Sequence, residues 1–202
     1  NVAIPSGNFG NAYSAWFGRT HGLSINKILC STNVNDVLRR FINGGVLEPL
    51  VTEPSVAPSM DIQIPSSLER LIFDLSSDAK SFYDQLQTNS KAQLDEKSVG
   101  GLQDVFSSIT FTDEMIKTLI TSLHDEFHVI FDPHSVTSVQ MAIDNDSSTP
   151  TVAVATASPE KFGNVISPLI KNFTESKIDE NEQYLTLSTE NVEIIEAIKA
   201  FI

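Results

Sequence analysis

An apolar run, Val2-Ala3-Ile4, breaks at Pro5-Ser6-Gly7, and beyond it Ala12, Tyr13, Ala15, Trp16 and Phe17 take up a helical spacing that stops at Gly22. The change of period predicts a strand, a glycine-bearing turn and a helix. Gly22 is placed to close that helix in a left-handed conformation. Residues Ile25 to Ser31 alternate as a strand. Asn35-Asp36 precedes Val37, Leu38, Phe41 and Ile42, so Asn35 is the expected cap of a short helix that Gly44-Gly45 ends. Strand, helix, strand, helix at this spacing predicts an α/β unit with a parallel sheet.

Prolines at 49, 54, 58 and 65 break the next stretch, which reads as a linker or an ordered loop. Ser66-Ser67-Leu68-Glu69 has the form of a capping box, with Leu68, Leu71, Ile72 and Leu75 as the apolar face of the helix it opens. Residues 76–128 read as helical and acidic, interrupted at Gly100-Gly101, with a short extended piece at Thr110 to Thr112 and a helix from Asp113 to about Glu126. Val129 to Phe131 reads as a strand, and Pro133-His134 as the start of a helix reaching about Ile143. Thr151 to Thr156 alternates as a further strand, with Pro159 suited to the first position of the next helix. Tyr184 to Leu187 reads as an edge strand, and Asn191 to Ile202 as a closing amphipathic helix. The α/β signal sits at both ends, giving three segments: 1–47 with the loop, 48–128 proline-bearing and helical, and 129–202 again α/β.

With 202 residues, 41% of them hydrophobic, the chain has enough apolar surface for a normal core. A net charge of −13 without basic clusters argues against nucleic acid and anionic membranes as partners, though a local cradle still suits a small anion. One cysteine, Cys30, leaves no intrachain disulfide and no thiolate metal cluster, as befits a reducing compartment. No apolar stretch approaches the ~20 residues of a membrane span, so the expected location is the cytoplasm. The chain opens in mid-strand without methionine and reads as the later part of a longer protein.

Three strand-to-helix junctions are candidates for chemistry. In Pro5-Ser6-Gly7-Asn8-Phe9-Gly10-Asn11, the free N–H groups of a helix start and two glycines would cradle an anion. A bare tight turn is the other reading, and the motif lacks the Lys-Ser/Thr of a nucleotide loop and the third glycine of a dinucleotide turn. Ala155-Thr156-Ala157-Ser158-Pro159 places hydroxyls at the C-terminal end of a strand, where open α/β sheets bind ligands, although Thr156 or Ser158 equally serves as a plain cap. In Asp132-Pro133-His134-Ser135, His134 is an acid, a base, a phosphate contact or a structural ring. Arg39 and Arg40 suit a bidentate phosphate contact or surface ion pairs.

These pieces, together with Ser31-Thr32-Asn33-Val34-Asn35-Asp36, Pro58-Ser59-Met60-Asp61-Ile62 and Leu68-Glu69-Arg70-Leu71, closely resemble in order and spacing the C-terminal part of threonine synthase, in its microbial and fungal form. The resemblance covers nearly the whole chain. It implies a fold-type-II pyridoxal phosphate lyase: open parallel-sheet layers flanked by helices, similar to the tryptophan synthase β-subunit and incomplete at the N-terminus. Such an enzyme serves threonine biosynthesis, converting O-phosphohomoserine and water to threonine and phosphate by β,γ-replacement. The cofactor residues it implies are Gly7, Asn8, Phe9, Gly10 and Asn11 around the phosphate and Thr156 at the pyridine nitrogen; Asn35, Asp36, Arg39 and Arg40 are its implied substrate contacts. Two departures matter. The family's Schiff-base lysine lies before the loop, whereas every lysine here, from Lys27 to Lys199, follows it, so the chain alone is expected to be inactive and to need the missing N-terminal part as partner. Ser158 also stands where the family commonly has histidine. The competing reading is a non-catalytic phosphate-binding or interaction domain derived from the same fold.

Overall fold

The described residues of the computed structural model are 1–76 and 78–174. Val2-Ala3-Ile4 forms strand β1 (Val2–Pro5), which turns through Ser6–Phe9 into helix α1 (Gly10–Thr20). Gly22, at φ +98, takes the left-handed conformation just beyond the helix. Strand β2 (Ile28–Thr32) runs parallel to β1 with all five residues buried. The alternation read from sequence gives way to full burial because helices cover both faces.

Helix α2 (Val37–Gly44) ends at Gly45, which is left-handed at φ +69 as expected. Its cap is different. Asp36 holds the N-cap position without a side-chain cap bond, and Asn35 turns its amide to the proline-bearing loop. That loop is ordered, with a 3-10 turn at Pro58–Met60. Beyond β3 (Val46–Leu47) come α3 (Leu68–Ser76) and α4 (Ala79–Asn89), then β4 (Ala92–Gln93), which pairs antiparallel with β3.

The helical middle conceals a strand of the main sheet. Gly100-Gly101 lies inside α5 (Glu96–Gln103) instead of interrupting it, and the strand β5 (Phe106–Thr110) follows, parallel to β2. The extended piece expected at Thr110 to Thr112 therefore lies mostly earlier, where Ser107 and Ser108 dilute the apolar signal. Thr112 instead caps α6 (Asp113–Phe127) by accepting from the Met115 N–H.

Val129 to Phe131 forms no strand. Ile130 and Phe131 both pack on the cluster built by Ile116, Ile120, Val136 and Ile166, a one-sided arrangement that a two-faced strand does not permit. Helix α7 (Ser135–Ile143) follows, then β6 (Val152–Ala153), shorter than expected and paired parallel to β1. A 3-10 turn at Pro159–Phe162 leads into α8 (Gly163–Ile166). The edge strand read at Tyr184 to Leu187 and the helix read at Asn191 to Ile202 lie outside the described residues.

The main sheet has the order β5-β2-β1-β6, all parallel. Strand alternation divides the core: Ile4, Ile28, Cys30 and Phe106 join the cluster of α1 to α5, while Ala3 and Leu29 meet Met141 of α7 on the other face. Burial on the first face pushes the Cys30 thiol up to about 12, so it packs as a small apolar group. Among the described residues no helix is long and apolar enough to cross a membrane.

Candidate functional site

From β1 the chain crosses to β2 on one side, whereas β6 arrives on the other, so the strand order reverses at the C-terminal end of β1. Open α/β sheets bind ligands at such a reversal. A cavity of about 260 Å³ opens there, lined by the Pro5–Ala12 turn, Ser59, Met60, His134 and Thr156.

Local backbone explains the loop side. Phe9 holds the N-cap of α1 in the left-handed region at φ 68, and its ring is buried against Phe106, with centroids 5.6 Å apart. That packing stabilises a conformation a non-glycine residue rarely adopts. The Phe9 carbonyl accepts the Tyr13 N–H at 2.9 Å, which starts the helix ladder three residues beyond Gly10. The first turn has no side-chain cap and no acidic residue. The orphan N–H groups and the positive end of an 11-residue helix therefore serve the cavity.

The two loop glycines differ in kind. A Cβ on Gly7 would lie 2.5 Å from the Ser59 carbonyl oxygen, so the turn packs backbone to backbone against the Pro58–Met60 segment. A Cβ on Gly10 would meet only Ser67 Oγ, at 3.7 Å.

The far wall is built on Asp132, which is fully buried. Its Oδ1 accepts the His134 N–H at 2.9 Å and the ring Nδ1–H at 2.8 Å, and Oδ2 accepts the Ser135 N–H at 3.4 Å. Burial alone would raise this carboxyl, but the bonds from His134 and Ser135 outweigh it and hold it below the usual range. His134 Nε2 accepts the Ser59 N–H at 3.1 Å, which fixes the proton on Nδ1. The ring meets Phe162 edge-on at 4.9 Å. Of the roles open to His134, the structural one describes these contacts. The Ser135 hydroxyl accepts the Thr156 N–H at 2.9 Å, so the end of the β6 segment is also carried by α7.

The sequence-derived residues divide into two groups. Gly7, Asn8, Phe9, Gly10, Asn11 and Thr156 line one cavity; Asn35, Asp36, Arg39 and Arg40 do not line it. Asn35 is buried, and its amide bonds the Glu53 backbone, Asp61 and Gln63, which fastens the proline-bearing loop. Asp36 pairs with Arg39 and, at 2.9 Å, with Arg40. Burial would raise Asp36, yet the hydrogen bonds from Arg40 and Arg39 hold it below its ordinary value. The sequence reading passed over Ser59 and Met60 as cavity wall and Ser135 as a support. Asp132 three residues ahead of Ser135, just before the predicted helix, where a carboxylate can accept a backbone N–H of the first turn, was the signal available for the last.

No protein-family model matches the chain. Threonine synthase of Saccharomyces cerevisiae is 31% identical to it over 212 residues, which cover 92% of the chain and 41% of the yeast protein. The chain is similar to threonine synthase over part of that protein's length. It spans about two fifths of the length of the curated threonine synthases it matches. Its fold is the fold-type-II arrangement of solved threonine synthases. The structure of the Brucella melitensis threonine synthase, determined with pyridoxal phosphate bound, superimposes with a TM-score of 0.82 at 26% identity, covering 98% of the chain and 45% of that structure. The yeast threonine synthase structure superimposes at 0.79 with 28% identity, over 91% of the chain and 40% of that structure.

Proposed function

We propose that the cavity at the end of β1 is the cofactor site of a threonine synthase that uses pyridoxal phosphate. One observation carries this reading: the uncapped start of α1, with Gly7 and Gly10 beside it, opens into the same cavity as Thr156 on the opposite wall. The residues fit the group. Gly7, Asn8, Phe9, Gly10 and Asn11 would hold its phosphate through backbone N–H groups, and Thr156 would meet the ring nitrogen with a neutral hydroxyl. When bound, the cofactor supplies an electron sink for carbanion chemistry. The chain's part is to bind and orient it.

The reaction we assign to the whole protein is conversion of O-phosphohomoserine and water to threonine and phosphate. Arg39 Nε and Arg40 Nη2 are buried without a partner among the described residues, so these arginines keep donors for the substrate phosphate. Asn35 and Asp36 would serve the substrate by holding the loop and the two guanidinium groups in place.

Among the described residues no lysine lines the cavity. With no amine in the cavity among the described residues, the 202-residue chain by itself is proposed to be inactive, with the lysine supplied by another part of the protein. Borohydride treatment of this chain with pyridoxal phosphate, followed by peptide mass mapping, should give no single modified lysine. A uniquely modified lysine would reject the assignment.

Two substitutions test the site in the full-length protein. Gly10→Val leaves the packing free but projects a branch toward the cavity; cofactor affinity should fall about tenfold or more, as for the loss of one charge-assisted hydrogen bond. Unchanged affinity in a cofactor titration would remove the loop from the site. Thr156→Ala should keep cofactor affinity and lower kcat by about tenfold, since it changes only the group at the ring nitrogen. A normal kcat would reject that role.

A further inference from the structure

We infer that Asp132 is a positioning residue that sets the spacing of the two cavity walls, acting on one through His134 and on the other through Ser135. This inference rests on the cavity being the cofactor site. The two walls are distant in sequence: Ser59 belongs to the proline-bearing loop and Thr156 to the segment after β6. Each is reached by one bond from a residue that bonds Asp132. On one side the chain of contacts is Asp132 Oδ1, His134 Nδ1–H, His134 Nε2 and the Ser59 N–H. On the other it is Asp132 Oδ2, the Ser135 N–H, Ser135 Oγ and the Thr156 N–H.

Burial gives the arrangement its stiffness. Asp132, His134 and Ser135 are 0%, 3% and 1% exposed, so water has little access to replace a broken link. The Ser59 segment matters to the loop because the Gly7 backbone packs directly on it: moving the Ser59 carbonyl moves the phosphate side of the cavity. Phe162 closes the assembly by holding the His134 ring from the side of the segment that follows Thr156. His134 lines the cavity, but both its ring nitrogens are taken by Asp132 and Ser59, and Ser135 does not line it. Their effect on the cofactor passes through Ser59 and Thr156.

Paired substitutions in the full-length apoprotein, titrated with pyridoxal phosphate, separate positioning from packing. His134→Gln offers a carbonyl where Nε2 accepted the Ser59 N–H but gives up Nδ1. His134→Asn offers an amide where Nδ1 bonded Asp132 but gives up Ser59. Both lose the ring against Phe162, so a role in packing alone would affect the two alike. We expect His134→Asn, which leaves the Ser59 N–H without its acceptor, to weaken cofactor binding about tenfold, and His134→Gln, which keeps an acceptor but frees it from Asp132, to weaken it about threefold, each no more than about one net hydrogen bond. A His134→Gln protein that binds as the wild type does would take Asp132 out of this arm. Equal constants for the two variants overturn the Ser59 arm.

For the second arm, Ser135→Ala should leave the dissociation constant within about threefold but shift the absorption maximum of the bound cofactor. That shift should vanish when Thr156→Ala is already present, because linked residues are not additive. A shift that persists undiminished in the Thr156→Ala background, or no shift at all, overturns the Thr156 arm. If the wild-type protein fails to bind the cofactor, the site assignment itself falls and this inference with it. If the wild type binds and all these variants match it, only the positioning role is lost.

Discussion

Gly7→Ala should lower both the stability of the protein and its affinity for pyridoxal phosphate, where Gly10→Ala should leave stability unchanged. The added Cβ at position 7 would sit 2.5 Å from the Ser59 carbonyl oxygen and 3.1 Å from Met60 Cα. Both are backbone atoms, so no side chain can rotate away, and relief needs a shift of the Pro58–Met60 turn or of the loop itself. Forced overpacking of this kind costs about 1–3 kcal/mol, a sizeable part of the ~5–15 kcal/mol that holds a domain folded. Either shift widens the cavity, because both segments line it. At Gly10 the nearest atom would be Ser67 Oγ at 3.7 Å, an ordinary contact. Denaturant midpoints and cofactor titrations on the full-length variants check the contrast. A Gly7→Ala protein with an unchanged midpoint would mean that the loop and the Pro58–Met60 turn are not packed as described.

This contrast also shows where sequence reading reaches its limit. Both glycines belong to a legible motif, since a strand, a turn and a helix start follow from local periodicity. What distinguishes them is a neighbour more than 45 residues away, and periodicity carries no information about that distance. The same division runs through the fold. β1, α1, β2, α2, α6 and α7 were legible because each carries its own apolar stripe or cap. β5 was not, since Ser107 and Ser108 stand in place of apolar residues on a strand that ends the sheet order among the described residues and whose pairing with β2 is decided by the sheet. Val129 to Phe131 misled in the opposite direction: three apolar residues suffice for a strand only where a sheet edge is open to them, and here they pack on helices. For the cavity, Gly7 to Asn11 and Thr156 were brought together through family resemblance, whereas Ser59, Met60 and Ser135 enter it by tertiary packing. Asn35 was legible as important, but its contacts fasten a loop and do not reach the cavity.

Asp132→Ala should be the most damaging of these substitutions to the folded state. The carboxylate accepts three donors, the His134 N–H, the His134 Nδ1–H and the Ser135 N–H, and its removal leaves all three in a site closed to solvent. A buried donor without an acceptor costs about 1–3 kcal/mol, so the loss amounts to roughly 4 kcal/mol even if one donor finds a new partner. Asp132→Asn should be milder, since its carbonyl can still accept both bonds from His134 and only the Ser135 N–H faces an amide nitrogen. The wild type carries a pH signature that the asparagine variant lacks. Because the folded-state pKa of Asp132 is depressed, its stabilisation is fully present above the unfolded value of about 4 and is lost as pH falls through the folded value. Thermal melts of the full-length protein should therefore show the wild type ahead of Asp132→Asn at pH 7, with the gap closing below about pH 4. A gap that stays constant down to pH 3 would show that the charge on Asp132 contributes nothing, and that its oxygens act only as neutral acceptors.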